Sequence, residues 1–271
     1  MISHPSLNAE GVPPVVLTEE QKYLFDTRGW LLMPGVLSED ECAEMRDFSY
    51  RLQRDRESVP PEHRSSIGGS LERLIDHPAI VGFMNTFVAH GAVASEYGYG
   101  FRLEGSFLTI RKEGDDNYSP HGGGGMFNSP GNSHQYNAYP GHVNAALTRA
   151  VWELNPVRKR SGGTLFLTGS HKAAFPFPAS IRDDRDSVWW DDYECPAGSL
   201  LFFTEAITHT GDRWTNPDWD RVAVFNCYNT VNAKWHKWEP NADHLAQMPP
   251  LRRSLFRGVY CEDNDVKAPA G

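Results

Sequence analysis

Two histidines and an arginine, at positions 121, 209 and 221, are the side chains whose settings invite chemistry. His121 stands in YSPHGGGGMF, behind a proline and ahead of four glycines, and His209 closes the run GSLLFFTEAITH. Arg221 opens RVAVFNCYNT, where a strand would return antiparallel after the loop TGDRWTNPDWD. Imidazole suits several divalent metals, and a guanidinium in an apolar strand needs an anionic partner, which a carboxylate satisfies two bonds at a time. Each has a bland alternative. A strand-end histidine in a β protein is more often a solvated or satisfied polar residue than a ligand, and HGGGG also reads as a flexible hairpin loop. Against that, four glycines pack nothing and cost backbone entropy, so they make poor barrel wall but let a backbone approach a metal, an anion or a bulky substrate. His4, His63, His77, His90, His236 and His244 fall in helical, polar or terminal stretches and are expected to do nothing chemical.

The elements that must position these residues change character along the chain. Thr18 with Gln21, and Ser38 with Glu41, form capping-box patterns ahead of two helices, with GWLLMPGVL between them as a short strand ended by Pro34-Gly35. The stretch SLERLIDHPAIVGFMNTFVAH has helical spacing of apolar residues. From about residue 98 onward, FRLEGSFLTIRK, HVNAALTRAVWELN, GTLFLTG, GSLLFFTEAITH and RVAVFNCYNT are short β-branched and aromatic runs punctuated by Gly, Pro, Asn and Asp. Helices followed by a run of strands predict an α+β domain around a double-sheet antiparallel barrel.

The 271 residues, 39% apolar, suit one domain, 1–271, with polar ends at about 1–14 and 262–271 expected to be loosely held. A net charge of -9 argues against nucleic-acid and anionic-membrane partners, and no segment approaches a bilayer-spanning run, which makes the cytoplasm the expected location. Cys42, Cys195, Cys227 and Cys261 are scattered without a C-x-x-C pair and read as inert thiols.

The chain resembles the phytanoyl-CoA dioxygenase family of iron(II)- and 2-oxoglutarate-dependent oxygenases over about residues 18–230. The resemblance rests on LTEEQKYLFDTRGWLLMPGVLSEDECAEM, on GGTLFLTGSHK at 162–172, and on PAGSLLFFTEAITHTG at 196–211. It implies a double-stranded β-helix (jelly-roll, cupin-like) core with N-terminal helices packed on one sheet. It also implies iron held by His121 and His209, Arg221 on the far carboxylate of 2-oxoglutarate, dioxygen as oxidant, and hydroxylation of an aliphatic carbon of a small molecule with release of succinate and carbon dioxide. His171 matches a segment that is a turn in the family, and a structural role is preferred.

One departure stands out. The family usually reads H-x-D, whereas this chain reads His121-Gly122-Gly123, with no carboxylate at 123. A halide in that place would make a halogenase, with chloride as a further ligand. Water or another acid would leave an oxygenase, and a decayed site would leave a jelly-roll binding protein, for which the tryptophans at 189, 190, 214, 219, 235 and 238 would offer stacking surfaces. A cupin-like isomerase needing metal but not 2-oxoglutarate is a further alternative. Among spare acids, Glu205 on a regular strand would lie roughly 13 Å from His209 at about 3.3 Å per residue, too far unless the strand bends. Asp115 and Asp116 would have to fold back, and Glu153 facing the interior would need a partner.

Overall fold

The computed structural model describes residues 4–122 and 134–259. Gly123, Cys261 and the last ten residues lie outside them. Both predicted capping boxes form: Thr18 opens α1 (Glu19–Arg28) and Ser38 opens α2 (Glu39–Arg54), each with reciprocal bonds to the residue three further on. Between them runs β1 (Trp30–Met33). The apolar stretch expected to be one helix is divided. A 3-10 turn occupies Gly69–Leu74, and α3 (Pro78–Phe87) starts afresh at Pro78, whose missing N–H suits the first helical position.

The strands are β2 (Phe101–Arg111), β3 (Asn137–Tyr139), β4 (His142–Asn144), β5 (Thr148–Glu153), β6 (Thr164–Phe166), β7 (Ser199–Thr204), β8 (His209–Gly211) and β9 (Arg221–Thr230). Five of them pair antiparallel in the order β1-β7-β5-β9-β2, while β6-β8 and β3-β4 form two-stranded sheets. Because side chains alternate across a strand, the large sheet has two distinct apolar faces. Trp152, Leu200, Phe202, Val222 and Val224 pack with the N-terminal helices, in one cluster with Phe25, Met45 and Phe83. Val151, Leu201, Phe203 and Ala223 point the other way, toward Trp30, Phe166 and Trp214 in the barrel interior.

One expectation changes in detail. Part of the N-terminal stretch is tied down: Asn8 is buried and donates to the Asp76 carbonyl, and Glu10 pairs with Arg252. Trp152 packs in the core, and its indole N–H has no acceptor among the described residues. Cys42, Cys195 and Cys227 are buried free thiols, the first two pushed up to about 11 by burial, which suits an inert role. No described helix is long and apolar enough to cross a membrane.

Candidate active site

The run GSLLFFTEAITH, expected as one strand, is two strands with a turn between them. β7 ends at Thr204, whose hydroxyl accepts from the Ala206 N–H and whose carbonyl accepts from the Ile207 N–H. The chain thereby leaves the large sheet and re-enters the small one at His209. There, the His209 N–H donates to the His121 carbonyl and the reverse bond completes an antiparallel pair, at 2.9 and 3.0 Å. Directly opposed residues put their side chains on one face, and the two imidazole centroids lie 4.3 Å apart.

The same turn brings in Glu205. Its Oε2 is 3.7 Å from His209 Nε2, instead of the length of a strand away. One donor atom from each of His121, Glu205 and His209 lies within 4.8 Å of the others. His121 Nδ1 donates to the Ser119 carbonyl at 2.7 Å and His209 Nδ1 to the Ile207 carbonyl at 2.9 Å. A carbonyl only accepts, so both Nδ1 atoms carry the proton and both Nε2 lone pairs are free for a metal. Burial pushes the His209 pKa down to about 4, against the attraction of Glu205. Burial pushes the Glu205 carboxyl up, but Arg149 and then His209 outweigh it and hold its pKa at about 2. The cluster therefore offers two imidazole Nε2 atoms and one carboxylate, a donor set that fits ferrous iron.

The glycines of HGGGG have one local explanation. Gly122 has φ +73°, and a Cβ there would meet the Ile207 carbonyl oxygen at 2.4 Å and that of Glu205 at 3.0 Å. The turn carrying Glu205 lies on the bare backbone after His121, and the Thr208 hydroxyl donates to the Gly122 carbonyl.

The three side chains border a cavity of about 550 Å³ walled by alternate residues of the large sheet. Phe107, Thr109 and Arg111 come from β2, and Arg221 and Phe225 from β9. Arg221, to which the resemblance gives the far carboxylate of 2-oxoglutarate, already has a carboxylate partner within the protein. Its Nε and Nη2 both bond the buried Glu153 carboxylate, and Nη2 also reaches the Tyr193 hydroxyl at 3.1 Å. Nη1 has no hydrogen bond among the described residues. Glu153 thus finds the partner its burial demanded. Arg111 stands opposite Arg221 in the β2–β9 register, bonded to the Asp212 and Gly162 carbonyls. Burial and the charge of Arg221 push its pKa down to about 10. Two guanidinium groups facing one carboxylate leave this end of the cavity with a surplus positive charge, which suits an anion.

Other candidates lie elsewhere. Asp116 sits at the cavity mouth, bonded to Arg185 and Arg213 at 2.7 and 3.0 Å, while Asp115 accepts from the Lys112 N–H. Neither joins the histidines. None of the six loop tryptophans lines the cavity, and Trp190, Trp214 and Trp219 give their indole N–H groups to backbone carbonyls. His171 is structural, its Nε2 donating to the Asp26 carbonyl at 2.9 Å. Sequence reasoning weighed Glu205 but set it aside as too far from His209. The signal for Glu205 was the strand-breaking need to turn before His209, which propensity alone does not show.

Residues 25–223 match the family model described as phytanoyl-CoA dioxygenase (PhyH). Among solved structures, HygX from Streptomyces hygroscopicus, with nickel and 2-oxoglutarate bound, is 22% identical, with 82% of this chain and 91% of HygX covered and a TM-score of 0.65. EctD from S. alaskensis is 14% identical over 86% of this chain and 84% of its own, with a TM-score of 0.59. The non-heme alpha ketoglutarate dependent epimerase SnoN from nogalamycin biosynthesis is 18% identical over 79% and 81%, with a TM-score of 0.54. Comparison with the curated proteins finds no match. With the matched segment spanning both histidines and the arginine, and the jelly-roll core shared with these structures, the chain belongs to the phytanoyl-CoA dioxygenase family, within the iron(II)- and 2-oxoglutarate-dependent oxygenase superfamily.

Proposed function

We propose that this protein is an iron(II)- and 2-oxoglutarate-dependent oxygenase that hydroxylates an aliphatic carbon of a small molecule, with release of succinate and carbon dioxide. The observation that carries this reading is one cavity lined by two imidazoles with free Nε2 atoms and by two arginines, of which Arg221 alone is bonded to a carboxylate, that of Glu153. His121 and His209 would hold the metal. Arg221 and Arg111 would receive the far carboxylate of 2-oxoglutarate, with the Thr164 hydroxyl beside them. The stacked rings of Phe107 and Phe225 and the ring of Phe203 give the cavity an apolar wall. Bound there, ferrous iron with 2-oxoglutarate and dioxygen supplies the oxidising chemistry, and the protein supplies orientation and exclusion of solvent. HygX has been seen with hygromycin B bound and SnoN with nogalamycin RO, which supports a small-molecule substrate here.

The halogenase alternative drew its force from an unfilled carboxylate place, and the nearness of Glu205 weakens it. The binding-protein alternative drew on the tryptophans, none of which lines this cavity. Anaerobic titration of the metal-free protein with ferrous iron and 2-oxoglutarate is expected to give the visible charge-transfer band of the chelate, and His209→Ala is expected to abolish it. No band at saturating iron and 2-oxoglutarate would overturn the assignment.

A further inference from the structure

We infer that Glu205 supplies the metal-binding carboxylate of this site, replacing the aspartate that the H-x-D pattern places two residues after the first histidine. The inference rests on the oxygenase reading above and adds to it the identity of the third protein ligand. Four observations converge. Glu205 is 5% exposed, and its Oε2 lies 3.7 Å from His209 Nε2. That separation is too long for a hydrogen bond and close to the roughly 3 Å expected between neighbouring donors on a metal with bonds of about 2.1 Å. Its other oxygen, Oε1, is taken by Arg149 Nε, which leaves Oε2 as the free donor. Arg149 is itself held from behind: its Nη2 lies 3.4 Å from His236 Nε2, and His236 Nδ1 lies 2.7 Å from the buried Glu104 carboxylate. Arg149 therefore acts as a positioning residue that orients Glu205. Finally, Gly122 is bare where the Glu205–Ile207 turn crosses it, so the feature that removes a side chain beside His121 also admits the turn that carries the acid.

A carboxylate arriving on the turn before the second histidine satisfies the same donor count as one arriving just after the first. Two imidazoles and one carboxylate on one side of the metal still leave positions open for a bidentate cosubstrate and dioxygen. No place is then vacated for halide.

The test is anaerobic cobalt(II) binding without 2-oxoglutarate, followed by calorimetry and visible ligand-field absorption, on the wild type, E205Q, E205A and H209A. Thermal unfolding without metal establishes that each variant is folded. Outer-shell partners alone are worth about 10–100-fold in metal affinity, so E205Q is expected to weaken cobalt binding at least about tenfold. Added formate is expected to restore affinity to E205A by occupying the emptied place. If E205A fails to fold, E205Q decides, because its amide oxygen can still accept from Arg149. Cobalt binding by E205Q equal to the wild type, with H209A inactive in binding, would overturn the inference and leave Glu205 as a counter-ion to Arg149 while the oxygenase reading stood. Undiminished binding by H209A would instead show that the metal site lies elsewhere, and both would fail.

Discussion

Glu153 has no exposed surface, and both its oxygens are engaged by Arg221, so the pair is a closed unit before any ligand arrives. Removing one member of such a pair strands a charge in the interior, which typically costs about 3–5 kcal/mol. Arg221→Ala is therefore expected to lose stability of that order in urea unfolding, and its loss of turnover would not by itself identify a cosubstrate clamp. Arg111→Lys is the better probe. It keeps the charge but not the planar fork, and it is expected to weaken 2-oxoglutarate binding at least about tenfold, read from the charge-transfer titration, with ferrous iron affinity unchanged. At Glu205 the expectation is equally specific: with its carboxylate in place, the wild-type cobalt spectrum should be indifferent to chloride, whereas E205A should become chloride-sensitive.

At the scale of elements, the decisive feature is the turn that interrupts GSLLFFTEAITH. Thr204 stabilises it from both sides, taking the Ala206 N–H on its hydroxyl while that hydroxyl donates to the Ala145 carbonyl. Gly122→Ala would introduce both a disfavoured positive φ and a collision with the Ile207 carbonyl, so it should destabilise the fold by at least about 1 kcal/mol. By pushing the turn away, it should also weaken cobalt binding in the folded protein, measured by calorimetry. The helix caps are ordinary by comparison. Ser38→Ala removes one capping hydroxyl and should cost about 1 kcal/mol without touching the metal site.

Across the whole molecule, the helical layer is joined to the barrel through buried polar groups that work only in one protonation state. His171 locks the end of α1 by donating Nε2–H to the Asp26 carbonyl, while its Nδ1 is buried without a partner. A second proton would be an unsatisfied buried donor, and burial pushes the pKa down to about 4, against the hydrogen bond to the Asp26 carbonyl and with neighbouring Lys172 adding to the fall. The unfolded chain, near 6.5, then binds more protons than the folded one between about pH 6.5 and 4. The His171 contribution is therefore complete above about pH 6.5 and is lost as the pH falls toward 4. Melting temperature should drop between pH 7 and pH 5, and His171→Gln should flatten that part of the profile.

Sequence alone determined what depends on neighbours in the chain. Both capping boxes and the limits of β9 were legible, because caps need residues three apart and a β-branched and aromatic run marks a strand, whereas the joint role of His121 and His209 came from the resemblance to the family. The partner of Glu153 was legible as a need but not as Arg221, since a buried charge demands a counter-charge without naming it. Tertiary structure decided the rest. Pro78 divides a stretch whose apolar spacing suits one helix, and of the tryptophans that looked like a stacking surface, Trp190, Trp214 and Trp219 are instead bonded into the fold. Most of all, the distance from Glu205 to His209 depends on whether the chain continues along β7 or crosses to β8. That choice follows from what the small sheet and the bare Gly122 backbone offer across the barrel, and no local pattern of residues encodes it.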